Sequence, residues 1–147
     1  MAGRNKNVIE KITSSYTGNL QISRQDYFKD KIINQYFQNI EGLQQNLPAG
    51  SHMTERIHLP ALISSGEQSL PIMLEGIDPE NEAQITDFKK NLVEGTYLED
   101  DKTPDCDSRQ IYIGRAIAKL LNVQLGNKVV ILAQAADGSL GNDLLRV

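Results

Sequence analysis

The densest run of potential chemistry in the chain is EDDKTPDCD, where Glu99, Asp100, Asp101, Asp105 and Asp107 place five carboxylates within nine residues. A calcium loop built from such groups needs ordered ligand spacing, a turn glycine in mid-loop and a terminal bidentate glutamate. Here Lys102 and Pro104 interrupt the spacing and the run holds no glycine, so a solvated acidic loop is expected. His52 and His58 stand six positions apart, with no cysteine beside them and no H-E-x-x-H pattern, which argues against zinc. Cys106 lacks a neighbouring catalytic motif, and with two histidines in the chain a cysteine–histidine mechanism has little to draw on. Ser64, Ser65 and Ser69 flank a hairpin signal rather than a G-x-S-x-G elbow. These residues assign no catalytic group, no metal ligand and no cofactor contact.

A second candidate is QIYIGRAIAKLLNVQLGNKVVIL, residues Gln110 to Leu132, which reads as strand, glycine, amphipathic helix, glycine, strand. Phosphate sites are built on that order when glycines let the backbone approach the ligand at a helix N-terminus. The junction offers Gly114 alone, followed by Arg115, and Gly126-Asn127-Lys128 lacks the upstream glycine of a phosphate loop. The expectation is architecture without a nucleotide: Gly114 permits a tight strand-to-helix turn, and Gly126 ends the next connection.

Composition narrows the classes further. The chain has 147 residues, room for one domain or two small lobes, and a net charge of -4 from 15 basic and 19 acidic residues. The basic residues are not massed in one segment, which argues against nucleic acid as a partner and against adhesion to anionic membranes. One cysteine cannot form an internal disulfide and leaves the redox compartment open. No apolar run approaches the roughly 18 residues of a membrane span, and the start, MAGRNKNVIEK, has no apolar signal-peptide core. GSHM at Gly50–Met53 matches a common tag-cleavage scar but lies between two structured segments, and is read as native.

The elements that must carry these groups follow from periodicity. A helix is expected over Asn5–Ser15 (Val8, Ile9, Ile12), then a short strand over Thr17–Ser23 with Leu20 and Ile22 on one face. DYFKDKIINQYF gathers Tyr27, Phe28, Tyr36 and Phe37; this cluster is read first as core packing, and otherwise as a contact patch for a partner. NIEGLQQNLP reads as a short helix stopped by Pro48. Ile57, Leu59, Ala61 and Ile63 then alternate, as do Leu70, Ile72 and Leu74, across a Ser-Ser-Gly turn that makes a hairpin. Pro60 and Pro71 imply edges or bulges. Asp78 and Pro79 open a helical turn, and a polar loop follows. Ile111 and Ile113 are expected in a strand, Ile117, Leu120 and Leu121 as the buried stripe of a two-turn helix, Val129–Ala135 as a strand, ADGS as a turn and DLLRV as the start of another strand. The fold class expected is α+β: residues 1–57 a mixed lobe, residues 58–147 a mostly β lobe with short helices.

The succession YTGNLQIS…DYF, HMTERIHLPALISSG, SLPIMLEGIDPENE, LVEGTYLEDD and IYIGRAIAKLLNVQLGNKVVILAQAADGSLGNDLLRV resembles the extracytoplasmic domain of FtsX-like ABC-transporter permeases. It is closest to the MacB-like periplasmic core domain shared with the LolC/LolE lipoprotein-releasing permeases. The likeness covers nearly the whole chain in the family's order. Its most specific parts are GIDP, GTYL about twenty residues on, and IGRAIAKLLNVQLGNKVVI, where Gly114, Ala118, Leu121, Gly126 and Val129 fit the family pattern and Asn127 replaces the usual Asp. The resemblance implies a domain between two membrane helices, so the chain is expected to be an excised fragment whose membrane-proximal lobe is incomplete and whose last strand is cut. It also implies a non-catalytic role on the periplasmic side of a bacterial inner membrane. Motion from a cytoplasmic ATPase subunit would pass through a permease with a second copy to a periplasmic carrier or adaptor. The other class open is a stand-alone ligand- or peptide-binding adaptor.

Overall fold

The computed structural model describes residues 18, 20–25, 27, 36–37, 40–66, 68–99 and 109–147. The helix expected at Asn5–Ser15, most of the aromatic segment including Phe28, and the acidic residues 100–107 with Cys106 lie outside them. The described residues form a four-stranded antiparallel sheet with short helices, a small α+β fold. The elements in order are α1 (Glu41–Gln45), β1 (Arg56–Ser65), β2 (Gln68–Ile77), α2 (Pro79–Ile85), α3 (Arg115–Leu121), β3 (Lys128–Gln134) and β4 (Leu140–Arg146). Their order across the sheet is β2-β1-β3-β4.

Two hairpins build the sheet, each closed by the turn its residues favour. Ser65 pairs with Gln68 across a two-residue loop, where Gly66 takes φ +59°. Gln134 pairs with Leu140 across the five residues 135–139, where the Ala135 amide donates to the Ser139 carbonyl, and Gly138 donates to the Ala135 carbonyl and takes φ +85°. Asp137 accepts from the Ser139 amide and hydroxyl at 2.9 and 2.6 Å, an Asx turn that the ADGS signal encodes. The strand after it starts at Leu140, earlier than DLLRV alone suggests.

Side chains of alternate residues share a face. The register joins Ala61 to Ile72 and Ala133, and Ile63 to Leu70 and Ile131, so these residues line one face. There Ala61, Ile63, Val129 and Ile131 pack with Leu121 and Val123 to form the buried core, flanked by Ile111, Ile113, Ile117 and Ala118. Pro60 and Pro71 fit this ladder for a shared reason. Pro71 faces Leu62 and Pro60 faces Met73, two pairs of the same parity, so both fall in non-hydrogen-bonded pairs where no N–H is required. Pro71 lies on an edge strand, and the β1–β3 ladder starts only at Ala61, one residue past Pro60.

Several expectations need correction. Gly18 and residues 20–23 form no strand. Ile111 and Ile113 are not in a strand either. The segment makes a single parallel bridge, Gln110 to Arg146, before turning into α3. Leu120 is 60% exposed; the buried side of α3 is Ile117, Ala118 and Leu121, because positions four apart share a helix face and Leu120 falls off it. Ile57 is 54% exposed although it keeps the parity of Ala61 and Ile63, because the core does not extend to that end of β1. Gly114 has φ −67°, and a Cβ there would meet nothing within 4 Å. The turn into α3 therefore needs no glycine. The demanding turn is the exit, where Asn122 takes φ 51° and the Val123 amide donates to the Ala118 carbonyl at 3.0 Å, closing the helix in the left-handed manner.

Ile63 is fully buried and its neighbour Leu62 is 41% exposed on the opposite face. Ile63→Ala should lower unfolding stability in urea by about 2–5 kcal/mol, and Leu62→Ala by less than about 1 kcal/mol. Equal losses would show that the core lies elsewhere.

Candidate functional site

The most polar buried region of the described chain lies at the start of β1. Asp78 caps α2, its Oδ1 accepting from the Glu80 and Asn81 amides at 3.0 and 3.1 Å, and Pro79 stands in the first turn. This places Glu82 one turn in, facing Arg56. The Arg56 Nε donates to Glu82 Oε2 at 3.0 Å and its second terminal nitrogen to Oε1 at 2.6 Å. Thr86, at the helix end, donates its hydroxyl to Oε1 at 2.9 Å. Glu82 has no exposed surface and Thr86 is 3% exposed. Arg56 belongs to the register set that faces away from the apolar core, so burial changes face at this end of β1.

Aromatic rings wall the junction. Phe88 and Tyr112 stack at 6.3 Å, Tyr97 meets Tyr112 edge-on at 6.5 Å, and the Lys89 ammonium lies 5.9 Å from the Tyr97 ring centre. The Tyr112 hydroxyl reaches the Phe88 carbonyl at 3.4 Å. Among the described residues nothing partners the buried Tyr97 and Thr54 hydroxyls. Tyr97 is held above the ordinary phenol value of 10.0, by burial first and then by the charges of Glu82 and Tyr112. Just before it, Gly95 takes φ +89°, and a Cβ there would lie 2.9 Å from Leu125 Cδ2. Only glycine lets this loop close on the connection between α3 and β3.

The chemistry of this arrangement is cohesive. Both Glu82 oxygens are engaged by Arg56, one also by Thr86, and no solvent reaches them. Such a carboxylate is not presented to a substrate as a base; its bidentate pairing fixes geometry.

The residues singled out in the sequence lie elsewhere and apart. His52 is exposed. His58 contacts Glu75 across the hairpin, Nδ1 to Oε1 at 3.2 Å, with the Tyr27 ring 6.5 Å away. Ser64 and Ser69 share a hydroxyl–hydroxyl bond of 2.8 Å. Glu99 is exposed, and its amide donates to Gln110. Tyr36 and Phe37 are 53% and 40% exposed, so they are not core residues. Among the described residues no three His, Cys, Asp or Glu side chains are grouped to hold a metal ion, and no helix is long and apolar enough to cross a membrane. The sequence reading missed Arg56, Glu82, Thr86, Tyr97 and Tyr112. A usable signal was present: α2, PENEAQI, has no apolar stripe, and a short helix without one must be held by something polar.

Glu82→Ala should destabilise the fold by roughly 3–5 kcal/mol, because it strands a nearly enclosed guanidinium. Replacing the pair together, Arg56→Met with Glu82→Leu, should recover most of that loss in a double-mutant cycle. The folded protein keeps the Tyr97 proton where the unfolded chain releases it. That contribution is complete below the ordinary value of 10.0 and is lost as pH rises through the higher folded value. Tyr97→Phe should therefore flatten the alkaline fall in melting temperature; an unchanged slope would assign that fall to other groups. No protein-family model matches the chain, and no curated protein matches it.

Proposed function

We propose that this chain is an extracytoplasmic domain of an FtsX-like ABC-transporter permease, on the periplasmic side of a bacterial inner membrane. In this reading it is a non-catalytic transmission element. It takes motion originating in a cytoplasmic ATPase subunit, acts beside a second permease copy, and works on a lipoprotein or efflux substrate through a periplasmic carrier or adaptor.

One observation supports the reading beyond the order of its segments: those segments pair with one another, Arg56 with Glu82 and Tyr97 with Tyr112. Arg56 comes from TERIHLP, Glu82 from GIDPENE, Tyr97 from GTYL and Tyr112 from IYIG. Leu121 and Val129, which fit the last and longest segment, are core residues. Stretches far apart in sequence are thus joined by a bidentate ion pair, an edge-on ring contact and a shared core. A body bound in this way shifts as a unit when pushed, as force transmission requires.

The full-length gene product should carry apolar spans of about 20 residues on either side of this segment and copurify with an ATPase from membranes. A reporter, Gln68→Cys in a Cys106→Ser background, sits at an exposed position. It should react with a membrane-impermeant maleimide in intact cells. Modification only after lysis, or recovery in the soluble fraction without an ATPase, would reject the proposal.

A further inference from the structure

β4 is an edge strand whose outward backbone groups can be assigned from its bonds. Arg146 turns outward: its amide donates to the Arg109 carbonyl and its carbonyl accepts from Ile111. Val147 turns inward, exchanging bonds with Asn127 and Gly126. Alternation along a strand then directs the backbone groups of Leu140, Asn142 and Leu144 outward, and those of Gly141, Asp143 and Leu145 toward β3. The Leu144 amide is met by the neighbouring Asp143 carboxylate at 2.9 Å. Among the described residues nothing bonds to the outward groups of Leu140 and Asn142 or to the Leu144 carbonyl. Edges left this open are templates for another strand.

We propose that this edge pairs antiparallel with β4 of a second copy of the chain, about a twofold axis through Asn142. The register is self-complementary, as a twofold interface requires. Asn142 would exchange both backbone bonds with the partner's Asn142, and Leu140 would face the partner's Leu144, with the reciprocal pair beyond the axis. The Leu140 amide and the Leu144 carbonyl, both open, supply the outer bonds.

The side chains favour the same register. Leu140 and Leu144 are 73% and 46% exposed and lie on the sheet face away from the core. Paired across the axis they would cover each other. On this chain Leu144 already lies beside Val130, on the face that also carries Leu62 and Leu132. On the other face Asp143 would sit opposite the partner's Gly141, so no like charges oppose, and the carboxylate keeps its own Arg109 partner. Pairing stops at Leu144 because Arg109 and Ile111 occupy Arg146. An edge this short buries less than the roughly 1,600 Å² of a standard stable interface, so association belongs in the micromolar-to-millimolar range. The inference does not rest on the permease reading.

Sedimentation equilibrium over that range should show the mass of the chain rising toward a dimer. Asn142→Pro removes only an outward N–H, so the β3–β4 ladder persists by circular dichroism while dimerisation weakens about tenfold or more. Leu140→Lys with Leu144→Lys should be monomeric, since the register sets lysine against lysine. Leu140→Lys with Leu144→Glu should dimerise, since it sets lysine against glutamate. This second comparison decides the matter even if the proline variant fails to fold. In a Cys106→Ser background, Asn142→Cys should cross-link to itself under mild oxidation. Four results overturn the proposal: a wild-type chain that stays monomeric, including one whose edge takes up only a foreign peptide; a dimer indifferent to Asn142→Pro; a lysine–glutamate variant no better than the double lysine; or assembly beyond the dimer.

Discussion

A carboxylate with no exposed surface governs the lower end of this fold. Glu82 would be expensive to bury alone, so its ionised form requires the bidentate Arg56 guanidinium and the Thr86 hydroxyl. That requirement sets the position of α2. The helix follows directly on β2 through the Asp78 cap, and the ion pair draws it back against the first residue of β1. The Glu82 charge also acts on Tyr97 of the following loop, whose ring meets Tyr112 edge-on.

The sheet consequently has two regimes. Toward the turn between β1 and β2, the buried face is apolar and carries Ala61, Ile63, Val129 and Ile131 beneath α3. Toward the start of β1, burial passes to the other parity, with Arg56 nearly enclosed and Ile57 exposed. Leu62, Met73, Val130 and Leu144 on the face away from the core remain open to solvent at 40–50%. The β1–β3 ladder spans only Ala61 to Ser64, and this short seam joins two otherwise self-contained hairpins. Its brevity also lets Pro60 sit in β1 without leaving an unmet ladder position.

Features that depend on near neighbours in sequence were readable. Both hairpins carried their turn chemistry, with Gly66 in one and Asp137-Gly138 in the other. Asp78-Pro79 marked the start of α2 for a local reason, since cap and first turn are adjacent. The failures share a cause. Leu120 looked buried because leucine is apolar, yet the helix face is chosen by what lies against it. Ile57 looked buried because it kept the alternation, yet the core ends before reaching it. Gly114 is expected to permit a tight turn into α3, whereas its backbone is ordinary and the left-handed position is held by Asn122.

The sequence by itself determined the α+β class, the two hairpins, the cap of α2 and the alternating residues of the core, because all are set by contacts a few positions apart. The permease reading is a proposal, and two of the residues it draws on, Leu121 and Val129, are packing positions. Only the tertiary structure decided that Arg56 and Glu82, separated by 26 positions, form a buried pair. It alone showed that Tyr97, within reach of the Glu82 charge, meets Tyr112 edge-on, and that the outward groups of β4 are open. Pairings of this kind leave no periodic trace, because they depend on where the register and the loops bring distant residues together.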